Sequence, residues 1–211
     1  MNERPILFSG PMVRAILSGS KTQTRRVVKP QPAPKDTWDW AWPIPGKNVT
    51  PGTHAYWRDD YRPNLSRYCP FQEGMRLWVR ETFCNSPDGV IYRATEHEHG
   101  ITPCDDYDIW KPSIFMPRWA SRITLEITAV RVERVQDISE ADARAEGIHE
   151  FDLGVNGKVY GTNPCAGRDV SGTAVEGYAI LWDSINAKRG YPWNSNPWVW
   201  VLEFQRVEAT P

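Results

Sequence analysis

Cysteine is scarce in this sequence, and no two cysteines lie close together. The four, Cys69, Cys84, Cys104 and Cys165, are scattered, which argues against a disulfide framework and fits reduced thiols in the cytoplasm. Long apolar runs are missing as well. The longest, Trp198 to Leu202, falls far short of the roughly 20 residues of a membrane span, so no membrane partner is expected. The amino terminus, Met-Asn-Glu-Arg-Pro, has neither the basic start nor the apolar stretch of a secretory signal. A glycine-rich phosphate loop and a dinucleotide fingerprint are also absent, which sets nucleotide-cofactor enzymes aside, and no cofactor is expected.

Net charge is scarce too, with 25 Lys and Arg against 26 Asp and Glu. That balance hides two poles. Residues 1 to 35 hold Arg4, Arg14, Lys21, Arg25, Arg26, Lys29 and Lys35 against Glu3, a local charge of +6. Residues 81 to 110 hold seven acids against Arg93, a local charge of −6. A localised basic pole attracts an anion even on a neutral molecule, or else the two poles pair with each other in the fold.

Tryptophan and proline are abundant, at 11 and 18 of 211 residues. The length fits one globular domain enlarged by insertions. Four of the tryptophans and eight of the prolines fall between residues 30 and 70. No sustained period runs through that stretch, and it reads as an irregular insertion held down by aromatics. A second, Gly-rich loop is expected over residues 149–172.

Between these insertions the patterning predicts alternating short elements. Ile6 to Phe8 is a strand, Ser9 caps a helix with Pro11 in its first turn, and Gly19 closes it. Thr22 to Val28 is a β-branched strand. Leu77 to Phe83 and Val90 to Ala94 read as a strand pair around the Asn85-to-Gly89 turn. A long strand runs from Ile123 to Val135 with a bulge after Ile127, and Ser139 then caps a short helix that ends at Gly147. Tyr178, Leu181, Trp182 and Ile185 form one helical stripe. The last strand sets Trp198, Trp200, Leu202 and Phe204 on one face. Strands outnumber helices, which predicts an α+β fold: a small, partly closed mixed β-barrel with peripheral helices.

Few residues carry recognisable chemistry. His97, Glu98, His99 and Cys104 do not complete a zinc set, and a solvated acidic loop is the better reading, so no metal is expected. Cys165 has no neighbouring histidine to activate it. The segment Lys21-Thr22-Gln23-Thr24-Arg25-Arg26 says more. On an extended strand Thr22, Thr24 and Arg26 share one face and Gln23 and Arg25 the other, with Lys21 joining the second set unless the preceding turn redirects it. Three cations in six residues can hold a phosphate, and such clustering lowers a lysine's pKa. The alternative is a solvated basic edge strand. Arg118, Trp119, Ser121 and Arg122 interleave cations, an aromatic and a hydroxyl, a mixture that grips phosphates and stacks bases. Trp193, Asn194, Asn196 and Trp198 offer an uncharged version, and packing tryptophans are the alternative in both places.

These motifs together resemble the activating-signal-cointegrator homology (ASCH) domains. The resemblance rests on the Ile6-to-Arg26 opening and on Gly74-Met75-Arg76-Leu77-Trp78-Val79-Arg80-Glu81. It extends to the long strand with its acidic helix, Ser139 to Gly147, and to the closing strand Val199 to Phe204. The chain is most similar to the long, Trp-rich versions carried by phages and prophages. What the resemblance implies is a PUA-like barrel, a fold tied to recognition of RNA and modified bases.

One bacterial branch of these domains is an amidohydrolase that removes the acetyl group of N4-acetylcytidine. By that resemblance Lys21, Thr24 and Glu146 are candidate catalytic residues. Arg25, Arg26, Glu81, Arg118, Trp119, Ser121, Arg122, Trp193 and Asn196 are candidates for binding the substrate or nucleic acid. The chemistry is reasonable, because a lysine of depressed pKa can take a threonine's proton and a glutamate can pass one to a leaving amine. The expected partner is RNA or a nucleoside. The alternatives are a nucleic-acid-binding module without catalysis, an RNA-cleaving variant of it, and a phage protein that captures a host partner.

Overall fold

The structure, a computed structural model, describes residues 3–29, 31, 69–86, 89–98, 110–152, 157–162 and 170–207. Most of the 30–70 insertion, the acidic stretch around Asp105, His99, Cys104 and Cys165 lie outside the described residues.

The main sheet is built from β1 (Glu3–Leu7), β2 (Gln23–Val27), β3 (Arg76–Arg80), β6 (Thr124–Arg134) and β10 (Trp198–Val207). Their order is β1-β3-β6-β10-β2, with β1 parallel to β3 and every other pair antiparallel. Strands lie about 4.8 Å apart, so the edges β1 and β2 of a flat five-stranded sheet would stand roughly 19 Å apart. Instead Arg26 Nη2 on β2 donates to Leu7 O on β1 at 2.9 Å, which requires strong curl. Among the described residues no ladder joins the two edges. The result is the expected mixed α+β fold, a partly closed barrel with helices outside it.

Alternation along β10 places one core on each side of the sheet. Trp200, Leu202 and Phe204 pack with Ile6, Phe8, Val13, Leu77 and Leu125. Val199 and Val201 pack on the other face with Ile138, Ala143, Tyr178 and Trp182. The bulge falls where expected, since Glu203 pairs with Ala129 and Phe204 with Ile127, leaving Thr128 unmatched.

Helix α1 (Gly10–Leu17) starts after Ser9, with Pro in its first turn. Helix α2 (Glu140–Ala145) is capped by Ser139, whose hydroxyl accepts from Asp142 N at 3.1 Å. Gly147 follows at φ +94°, a left-handed conformation that glycine adopts without strain. Helix α3 (Ala174–Asn186) carries the predicted stripe and is capped by Thr173.

Two expectations need correction. The stretch read as one strand from Leu77 to Phe83 is two. It breaks at Glu81-Thr82, so β3 joins the main sheet while β4 (Phe83–Ser86) forms a separate hairpin with β5 (Gly89–Tyr92). The break is stabilised by Glu81, which is buried and takes two hydrogen bonds from Arg122. Residues 149–172 are not simply loop either, since they hold a three-stranded sheet of β7 (His149–Asp152), β8 (Lys158–Gly161) and β9 (Val170–Ser171). Its docking depends on Gly177 of α3, where a Cβ would come within 2.9 Å of Tyr160 O. The sequence pattern had no means of showing that close approach.

Candidate functional site

Among the described residues strand β2 has no partner beyond β10, and that position makes the site. Its register sets Thr24 opposite Leu202 and Arg26 opposite Trp200, toward the first core. Arg25 and Val27 stand opposite Val201 and Val199, toward the second. With no described strand beyond β2, the two faces meet around its edge in a pocket of about 190 Å³. Helix α1 contributes Met12 to the lining, α2 ends in it with Glu146, and α3 contributes Tyr178, Leu181, Trp182 and Ile185. All four residues of the predicted helical stripe therefore wall the pocket.

The strand is an edge, but it is not solvated. Lys21, Gln23, Thr24 and Arg25 are all buried, as is Glu146. Lys21 precedes the strand, and its ammonium lies 5.7 Å from the centre of the Phe8 ring. Its Nζ donates at 2.7 Å to Gln23 O, to Glu146 O and to Glu146 Oε2, so its three donors meet three acceptors. Arg25 donates to Glu146 Oε1 at 3.2 Å and to Gln23 Oε1 at 2.7 Å. Its other nitrogen reaches Glu133 at 2.5 Å and Asp142 at 3.5 Å. One cation thus grips each oxygen of Glu146. Beyond it, Arg131 pairs with Glu133, Asp142 and Glu203, which carries the network outward.

Burial tunes these groups. Desolvation lowers the Lys21 pKa below its ordinary value, against the pull of Glu146 toward the charged form. Burial, with the nearby Glu146 charge, pushes the Tyr178 phenol well above its usual value. Burial raises Asp142, but hydrogen bonds from Gln23 and Ser139 and the charges of Arg25 and Arg131 outweigh it, and its carboxyl lies below the usual range.

The predicted residues therefore divide. Lys21 and Glu146 are in direct contact, and Thr24, Arg25, Arg26 and Glu146 line one pocket. Glu81, Arg118, Trp119, Ser121 and Arg122 lie away from its lining. Glu81 and Arg122 form the strand-break ion pair, with the Arg122 guanidinium 4.0 Å from the centre of the Tyr92 ring. Ser121 Oγ donates to Val79 O and Ile123 O. Arg118 is bound to Glu3 at 2.8 Å, while Trp119 is 70% exposed. Trp193 packs edge-on to Tyr178 from behind the wall, with centroids 6.1 Å apart. Asn196 is a left-handed turn residue at φ 43°, and its side chain accepts from Gln136 N.

Sequence reasoning missed Lys29, Arg189 and Tyr191, which complete the lining. Arg189 sits in the Lys188-Arg189-Gly190 turn after α3, and nothing in the local sequence ties the charge of that turn to β2. Gln23, Glu133 and Asp142 were also missed. Their link to Arg25 spans more than a hundred residues for two of the three, and no local pattern carries it.

The molecule is thus a mixed α+β protein with a pocket beside strand β2, lined by Arg25 and Glu146 and backed by the buried Lys21 that pairs with Glu146. A solved structure described as the "High resolution crystal structure of ASCH domain from Lactobacillus crispatus JV V101" is similar to it. That similarity has a TM-score of 0.40 and 11% identity, and covers 97% of this chain and 79% of the other. No family model and no curated protein matches this chain. Among the described residues no helix is long and apolar enough to cross a membrane, and no group of three His, Cys, Asp or Glu side chains could hold a metal.

Proposed function

We propose that this chain is a PUA-like ASCH protein that binds a modified nucleoside, free or within RNA, in the β2-edge pocket and hydrolyses an N4-acyl group on cytidine. The observation that carries the reading is the 2.7 Å contact between the buried Lys21 Nζ and Oε2 of Glu146, which lines the same pocket as Thr24. A lysine and a carboxylate in hydrogen-bond contact can exchange a proton, and burial lowers the Lys21 pKa, which eases loss of its proton.

In the proposed reaction the Thr24 hydroxyl adds to the acyl carbonyl as Lys21 takes its proton. The C–N bond then breaks, and N4 leaves as the amine of cytidine with a proton returned through the Lys21–Glu146 pair. Water next adds to the acyl-threonine ester. Its C–O bond to Thr24 breaks, freeing the carboxylate and restoring the hydroxyl, so one water is consumed per amide. Arg25 touches no substrate in this scheme. It is a positioning residue that fixes Glu146 Oε1.

The test is incubation of the purified chain with N4-acetylcytidine, with cytidine and acetate measured. Turnover is expected to fall by at least about a hundredfold in Thr24→Ala and in Lys21→Met, the scale on which removal of a nucleophile or general base acts. No cytidine at any protein concentration overturns the activity, and full turnover by Thr24→Ala overturns the mechanism.

A binding module without chemistry is the second reading. It is favoured by the saturation of Lys21, whose three donors are all engaged. Under that reading the wild type and Thr24→Ala bind cytidine equally and neither releases acetate.

A further inference from the structure

The charges of the pocket are arranged in two tiers. Around Glu146 each cation has carboxylate partners: the buried Lys21 behind the lining has Glu146, and Arg25 has Glu146, Glu133 and Asp142. Around the rest of the lining stand Arg26, Lys29 and Arg189. Among the described residues no carboxylate lies within 4 Å of any of these three, and Glu146, the acid in the lining, is already shared by Lys21 and Arg25. Arg26 spends one nitrogen on Leu7 O, and its guanidinium lies 5.1 Å from the centre of the Phe8 ring. Lys29 extends over the Tyr191 ring at 5.4 Å. Arg189 ends the 3-10 turn Ala187–Arg189 that follows α3, and its side chain is exposed. Burial foremost depresses the Arg26 pKa against the opposing pull of the Glu146 charge, and the like charge of Arg189 adds to the depression.

Three like charges facing one cavity repel one another, and a fold that gathers them around a single carboxylate, one already shared by Lys21 and Arg25, is stabilised when an anion enters. Guanidinium forks and an ammonium suit the oxygens of a phosphate. The apolar part of the same lining, Met12, Leu181 and Tyr191, suits the faces of a base or sugar. We infer that Arg26, Lys29 and Arg189 form a phosphate subsite, so that the pocket takes a phosphorylated nucleoside, with the base toward Glu146 and the phosphate at these three cations. The inference rests on the nucleoside reading for its base, but not for its phosphate. The phosphate belongs either to a mononucleotide or to an RNA backbone.

Binding to the full chain is measured by calorimetry at low salt with four probes: inorganic phosphate, cytidine, cytidine monophosphate and a cytidine-centred trinucleotide. Cytidine monophosphate is expected to bind on the order of tenfold more tightly than cytidine. That advantage shrinks as salt is raised. In the double variant Lys29→Glu, Arg189→Glu the ratio falls to about one and phosphate binding disappears. Both side chains are exposed, and an unchanged thermal midpoint verifies folding of the variant. A trinucleotide that outbinds the monophosphate assigns the subsite to an RNA backbone, and the reverse order assigns it to a mononucleotide.

The subsite is overturned if the wild type binds cytidine and its monophosphate equally, or if the double variant keeps the phosphate preference. Cytidine binding with no such preference removes the subsite and leaves the nucleoside reading standing. Phosphate binding that the double variant abolishes, with no cytidine binding, does the opposite.

Discussion

Two regions of this molecule combine basic, hydroxyl and aromatic residues, and they behave differently. Lys21, Thr24, Arg25 and Arg26 lie in or just before strand β2, roofed by α3, where the Lys21 and Arg25 charges are buried and paired. Arg118, Trp119, Ser121 and Arg122 lie in and just after a 3-10 turn, with Trp119 and Arg118 open to solvent. The composition is the same, but only the first region has a wall. The difference teaches that such a cluster becomes a pocket when a second element covers it; otherwise it splits into separate pairs with structural roles.

The largest expected effect comes from breaking the covered region. Glu146→Ala leaves Lys21 buried without its carboxylate, and loss of one partner of a buried pair costs about 3–5 kcal/mol, read from the denaturant midpoint. Glu81→Ala is the matched change in the other region. It is expected to cost less, about 1–3 kcal/mol, because Arg122 has 23% of its side chain in solvent and can be rehydrated. Equal losses at the two sites would remove the distinction drawn between them.

A pH titration sharpens the comparison further. The Asp142 pKa is lower in the folded chain than its ordinary value. Its contribution is therefore fully present above the unfolded pKa and is lost as pH falls through the folded one. Acid unfolding followed by circular dichroism should begin at a higher pH in the wild type than the loss of Asp142 alone would predict only if other carboxylates contribute. In Asp142→Asn the stability difference from wild type should shrink steadily below the ordinary carboxylate range, and a constant difference down to the lowest pH counts against the linkage. The smallest effect is expected on the uncovered turn, where Arg118→Ala breaks an exposed pair worth about 0–1 kcal/mol. A loss above about 2 kcal/mol there would show that the pair is more than a surface contact.

Much of the fold was legible where one local rule acted alone. The helical stripe Tyr178, Leu181, Trp182 and Ile185 gave α3, the Ser139 cap gave α2, and alternation from Trp198 to Phe204 gave β10. Legibility failed where a distant contact overrode the local pattern. The strand break at Glu81 depends on Arg122, 41 residues on, and the sheet formed by β7, β8 and β9 depends on a close approach at Gly177. In the site, Lys21, Thr24 and Glu146 were identified from the family resemblance, but Lys29 and Arg189 were not. Each looked like an ordinary surface cation until both appeared in one lining.

The sequence by itself determined the alternation of strands, the helix caps and the concentration of basic charge near the amino terminus, because these depend on neighbours a few residues apart. Only the tertiary structure decided which of those cations are neutralised. Electrostatic partners are set by distances in space: Glu146, 125 residues from Lys21, cancels its charge, while Arg26, Lys29 and Arg189 line one pocket with no carboxylate of the described residues within ion-pair distance of any of them.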